Sequence, residues 1–179
     1  MKKRELTFVV IFVITFMFMI TWVYTYQRSK EEYLKGKGEQ GKISSVQKIY
    51  QDTVDGFNGR EPNREERWQI LEKQKDYYQT ISRAVTAYDT SIHSYTPFNK
   101  YINLSLEGLD ELGAFCTKSE EYQLAYNIYE TMKIGPIPSF VEKASKLSDE
   151  VYELLIKQKK DRIEKHKEKD ERETSSEDS

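Results

Sequence analysis

Residues 6–26 read LTFVVIFVITFMFMITWVYTY and hold no charged side chain. Every position is apolar except four threonines. As an α-helix the stretch rises about 31 Å, close to the roughly 30 Å of a bilayer's hydrocarbon core. Thr7, Thr15, Thr21 and Thr25 can bond back to carbonyls of their own helix, so they cost little in lipid. Leu6, Phe8, Phe12 and Phe16 supply apolar bulk for membrane lipid. Trp22, Tyr24 and Tyr26 gather at the far end, where aromatic rings favour the headgroup layer. Lys2, Lys3 and Arg4 close the near end.

A cleaved signal peptide needs an apolar core of only about 7–15 residues and a small-residue cleavage site. Here the run is longer and is followed by Gln27, Arg28 and Ser29. No cysteine lies near it to carry a lipid, and a soluble core helix rarely stays apolar on every side. The reading is an uncleaved single transmembrane helix, a signal-anchor. Orientation follows from the cations on each flank. Lys2, Lys3 and Arg4 are concentrated, whereas Arg28, Lys30, Lys35, Lys37 and Lys42 are diluted. The expected arrangement in the cell membrane is therefore N-terminus cytoplasmic and domain extracytoplasmic. The reverse would make the protein a cytosol-facing scaffold.

Beyond the span the chain is polar, and the mean hydropathy of the whole is −0.77. Of 179 residues, 28 are Lys or Arg and 30 are Asp or Glu, giving a net charge of −2. With 8 glycines, 4 prolines and 1 cysteine, a collagenous chain and a disulfide-stapled domain are excluded. With one apolar run, so is a multi-span transporter.

The expected organisation is a basic tail (1–5), the span (6–26), a flexible linker (27–42), a helical bundle (43–156) and a charged, partly disordered tail (157–179). The linker carries Gly36, Gly38 and Gly41. In the bundle, Ile43, Val46, Ile49, Tyr50 and Val54 step by three and four residues, and Asn58-Gly59 closes that helix. Asn63 and Glu66 stand at capping-box spacing before a long helix. Its apolar positions are Trp68, Leu71, Tyr78, Ile81, Val85, Tyr88, Ile92 and Tyr95. From Tyr78 they form a heptad seam, and Gln74 and Lys75 interrupt it nearer the start.

Thr96-Pro97 opens a third helix bearing Phe98, Tyr101, Ile102, Leu109, Leu112 and Phe115. Capping-box patterns at 117–120 and 139–142 open two more helices, separated by the break Ile134-Gly135-Pro136-Ile137-Pro138. The last carries Phe140, Ala144, Leu147, Val151, Leu154 and Leu155. Period-two alternation is lacking, so the fold class is all-α, a bundle of about five helices after the membrane helix. Residues 157–169 then hold seven cations against three acids, and 170–179 one cation against five acids. This is a solvated extension fraying into an acidic tail. Leu109, Leu112-Gly113, Ala125, Tyr129 and Pro136 resemble parts of a tetratricopeptide repeat in spacing. Cys116 and Met132 depart from that pattern, no second copy follows, and a plain helical hairpin accounts for the same residues.

Chemistry is thinly supplied. Only His93 and His166 could serve as a histidine base, and Cys116 falls on an apolar face, the usual setting of a buried thiol. Asp89 and His93 offer two metal ligands where a zinc site needs three or four. Asp52/Asp55, Glu107/Asp110/Glu111 and Glu120/Glu121 could serve glycan hydrolysis, but with 30 acids in the chain neighbouring pairs are expected by chance. The glycines of 36–41 lack the preceding strand of a dinucleotide fingerprint. Asn103-Leu104-Ser105 is a sequon on a helix. The Lys-rich 157–169 stretch lacks aromatics for base stacking. We therefore expect no catalytic residue, no metal, no cofactor and no nucleic acid.

Tyrosine suits interfaces, joining a large ring to a hydroxyl. Tyr88, Tyr126 and Tyr129 suit the core, whereas Tyr77 beside the seam and Tyr122 at a helix start suit contact. The expected function is a membrane-anchored interaction module such as an assembly factor, complex subunit or immunity factor. Its partner is a protein, with a homo-oligomer through Tyr78, Val85, Tyr88 and Ile92 as one form. The alternative is a cell-envelope hydrolase acting on glycan or peptide.

Overall fold

A computed structural model of the chain describes residues 3–57, 60–94 and 101–177, with side chains over 6–57, 60–94 and 101–169. Among the described residues there are five helices and no strand. They are α1 (Lys3–Asp55), α2 (Arg64–His93), α3 (Tyr101–Lys118), α4 (Tyr122–Lys133) and α5 (Pro138–Glu177). The all-α class is as expected. The residues Lys2, Asn58, Gly59 and 95–100, including Tyr95, Pro97 and Phe98, lie outside the described set. The side chains of Lys3 and Arg4 do as well. The chain divides into two compact units, Met1–Gly108 and Leu109–Ser179, with the boundary inside α3.

In the first unit, α1 is one helix of 53 residues. It runs unbroken through 27–42, where glycine content predicts a flexible linker, and through 43–55, expected as a separate helix. The correction has a packing cause. Ser29, Gly36 and Ile43 are buried at seven-residue spacing and so share one face. That face packs on α2. A β-carbon on Gly36 would stand 3.3 Å from the Tyr88 ring, so glycine here gives the helices close approach. Lys35–Glu32 at 2.9 Å and Lys42–Glu39 at 2.7 Å add helix-surface pairs.

The Asn63 capping box forms as its spacing predicts. Asn63 Oδ1 accepts from the Glu66 amide at 2.9 Å, and Glu66 Oε2 accepts from the Asn63 amide at 2.7 Å. It gives α2 a defined start, antiparallel to α1. The buried positions of α2 are Tyr77, Thr80, Ile81, Ala84, Ala87, Tyr88, Ser91 and Ile92. The seam is thus rotated from the expected one, with Ala84 and Ser91 in place of Val85 as inward positions. Small residues on both helices bring the backbones close, and the larger rings fill the space beside them.

In the second unit, Leu109, Leu112, Cys116, Ala125, Ile128, Tyr129, Met132, Ala144, Ser148 and Val151 form the core. A β-carbon on Gly113 would stand 2.8 Å from the Tyr129 ring, so this glycine lets the tyrosine approach α3 closely. Thr117 is not a cap. It remains inside α3 and donates to the Gly113 carbonyl at 2.9 Å. The turn after α3 is a C-terminal motif instead: Glu120 takes φ 60 and the Glu121 amide reaches back to the Cys116 carbonyl at 2.9 Å. The helix α5 begins at Pro138, one residue before the expected cap Ser139, because proline already suits the first helical position. It continues through 157–169, the expected solvated helical extension, and on to Glu177. Every described side chain from Lys159 to Lys169 is exposed.

Candidate interaction surface

The apolar part of α1 is long and apolar enough to cross a membrane. Its most apolar window has a mean hydropathy of 2.6, and none of that window is buried within the protein. Leu6, Phe8, Phe12, Phe16, Trp22 and Tyr24 all face outward. The hydroxyls of Thr15, Thr21 and Thr25 donate to the carbonyls of Ile11, Met17 and Thr21 at 2.7–2.9 Å. Each side chain's polarity is thereby absorbed by its own helix.

One turn beyond Tyr26, three helices meet around buried hydroxyls. Ser29, Ser91 and Ser105 are each fully enclosed. Ser29 Oγ lies 3.1 Å from both the Ser91 carbonyl and Ser91 Oγ, and Ser91 Oγ also bonds Ser105 Oγ. Tyrosines surround this junction. Tyr26 and Tyr33 contact Tyr101 with ring centroids 5.2 and 5.9 Å apart, and Tyr33 meets Tyr88 edge-on at 6.1 Å. The Tyr88 hydroxyl donates to Gln40 Oε1 at 2.9 Å. Buried polar groups satisfied in this way fix helix register, since slippage would strand them without water.

The candidate contact residues separate into two groups. Tyr77, Tyr88 and Ile92 are 2%, 0% and 4% exposed. They are core residues of the first unit, Tyr77 stacking on Tyr50 at 6.3 Å, so they cannot meet a partner without unfolding. Tyr78 and Val85 are half-buried, as is Tyr122 at the start of α4. Trp68 and Leu71 were expected only as apolar positions of the helix, yet they are 68% and 55% exposed. With Tyr78 and Val85 they step by 3, 7 and 7 residues. That is a second stripe on α2, exposed at its Trp68 end and half-buried at Tyr78 and Val85. Lys75 and Ser82 complete its spacing. The signal was present in the sequence, but Lys75 reads there as an interruption rather than as a member.

The chemistry-bearing residues stand apart from this stripe. Cys116 is fully buried, and desolvation, with Glu121 nearby, pushes its thiol up to about 12. It is therefore not a nucleophile at neutral pH. Nδ1 of His93 lies 2.9 Å from the Asp89 carbonyl and 3.2 Å from its carboxylate, on an exposed surface. Asp110 is engaged by Lys143. The Glu130 carboxyl is held below its ordinary value by hydrogen bonds from Lys133 and Ser148. Among the described residues, no three His, Cys, Asp or Glu side chains come together as metal ligands. Comparison with protein-family models, curated proteins and solved structures found no match to this chain.

Proposed function

We propose that the chain is a single-pass membrane protein whose α1–α2 hairpin stands off the bilayer and binds another protein chain. The observation that carries this reading is the stripe on α2, exposed at Trp68 and Leu71 and half-buried at Tyr78 and Val85, on a hairpin whose first helix is continuous with the apolar span. Ser91 is bonded to Ser29, just past the span. Trp68 lies 23 residues up α2 from Ser91, hence about 35 Å farther along the hairpin. At that height the stripe meets protein rather than lipid. A tether confines partners to a thin layer, so a contact patch of modest area suffices.

The cations Lys2, Lys3 and Arg4 support a cytoplasmic N-terminal flank and an extracytoplasmic head. The test is made on the full chain in its native membrane. Alkaline carbonate should leave it in the pellet, and Ile14→Arg, costing about 2.5–3.5 kcal/mol at a span centre, should release a fraction of it. Protease added to intact cells should remove the 157–179 tail. Release of the unaltered chain without detergent would overturn the anchoring, and a tail protected in intact cells would reverse the orientation. A photo-crosslinker at Trp68 should capture protein, and recovery of lipid adducts alone would overturn the interaction reading.

A further inference from the structure

We infer that the partner of the α2 stripe is a second copy of this chain, packed along α2 in parallel and in register. The inference rests on the anchored interaction module proposed above. Two copies in one membrane share an orientation, so the axis relating them lies along the membrane normal and their α2 helices run parallel. In that arrangement each residue of the stripe meets its own counterpart.

The spacing fits. Leu71, Tyr78 and Val85 recur every seven residues, while Trp68, Lys75 and Ser82 form the alternate set. Together they give the 3–4 pattern of a two-helix seam. The inward face of α2 is occupied by α1, so the hairpin supplies one seam and leaves one open.

Charge complementarity favours the like copy. The parallel seam sets a residue just before one layer beside the residue five positions later on the partner helix. Here those residues are Arg67 and Glu72, which are opposite in charge and both exposed. By symmetry the pair occurs twice. Arg67 Nε donates to the Pro62 carbonyl at 3.0 Å, and its nearest acid is Glu61 at 3.9 Å, with the side chain 63% exposed. The guanidinium is therefore accessible to a second carboxylate. Lys75 in the seam costs stability but penalises slipped alignments, the usual consequence of one polar residue in such a row.

The full chain in its native membrane is the test. Leu71→Cys should form a disulfide-linked dimer under mild oxidation, at a yield roughly tenfold above that of Ser44→Cys on the exposed outer side of α1. Cys116 stays in place, since it is buried. In the Leu71→Cys background, Arg67→Glu should lower the dimer yield roughly threefold. Adding Glu72→Arg should restore it. A yield at Leu71→Cys no higher than at Ser44→Cys overturns the inference. So does a Leu71→Cys adduct of a mass other than twice the chain, which leaves the interaction module standing with a different partner. An Arg67→Glu loss that Glu72→Arg does not restore overturns the parallel register.

Discussion

The ring of Tyr88 lies so close to Gly108 that a β-carbon there would stand 2.4 Å from Cε1 and Cζ. Gly36 approaches the same ring, leaving 3.3 Å for a β-carbon. One buried tyrosine is thus clasped between two helices at glycines, and its hydroxyl ends on Gln40. This contact makes a hairpin of α1 and α2 and sets which face of α2 remains outside.

Gly108→Ala should destabilise the first unit by about 1–3 kcal/mol, the cost of overpacking a filled site. Gly38→Ala should do the reverse and stabilise by roughly 0.5–1 kcal/mol, because a β-carbon there meets nothing within 4 Å. Thermal unfolding of both variants, followed by circular dichroism in detergent, checks the opposite signs.

Ser91→Ala should cost about 1–3 kcal/mol, since it removes the partner of the enclosed Ser105 hydroxyl, while Ser29 keeps only its bond to the Ser91 carbonyl. The loss should appear first as faster amide exchange in the turns of α1 and α2 around the junction. Unchanged exchange there would mean that the hydroxyls do not hold the register.

Glu120 holds a left-handed conformation that glycine adopts without penalty. Glu120→Gly should stabilise the second unit by up to about 1 kcal/mol. Its carbonyl bond from Gln158 at 3.1 Å is made by the backbone and survives the substitution. A higher melting temperature for the variant is the expected readout.

The Arg60 side chain, then the Asn63 amide, holds the Glu66 carboxyl below its ordinary value of 4.5. A carboxyl whose value is lowered on folding adds stability above the unfolded value and loses it as pH falls through the folded one. The start of α2 should therefore fray in acid, below about pH 4.5, and remain closed at neutral pH. Asn63→Ala, at a cost of about 1 kcal/mol, should open the same turn at every pH. Amide exchange of the first turn of α2 measures both.

With its thiol pushed up to about 12 by burial, Cys116 should resist maleimide at pH 7 in the folded chain and react once denaturant is added. Fast labelling of the folded chain would show that the second unit opens locally.

What the sequence determined alone is what depends on near neighbours. A run of apolar residues long enough to span lipid, the Asn63–Glu66 reciprocal cap and the break before Pro138 each follow from residues a few positions apart. The tertiary structure decided matters of choice between distant partners. Two apolar stripes coexist on α2, and periodicity ranks them equally. Contact with Ser29, Gly36 and Ile43 of α1 selects the stripe of Tyr77, Ala84, Tyr88 and Ser91, leaving Trp68 and Leu71 outside. The same contact keeps 27–42 helical despite its glycines. In an isolated helix a glycine or serine weakens the structure, but between two helices its small size permits backbone approach, and that gain exists only once the partner helix is present.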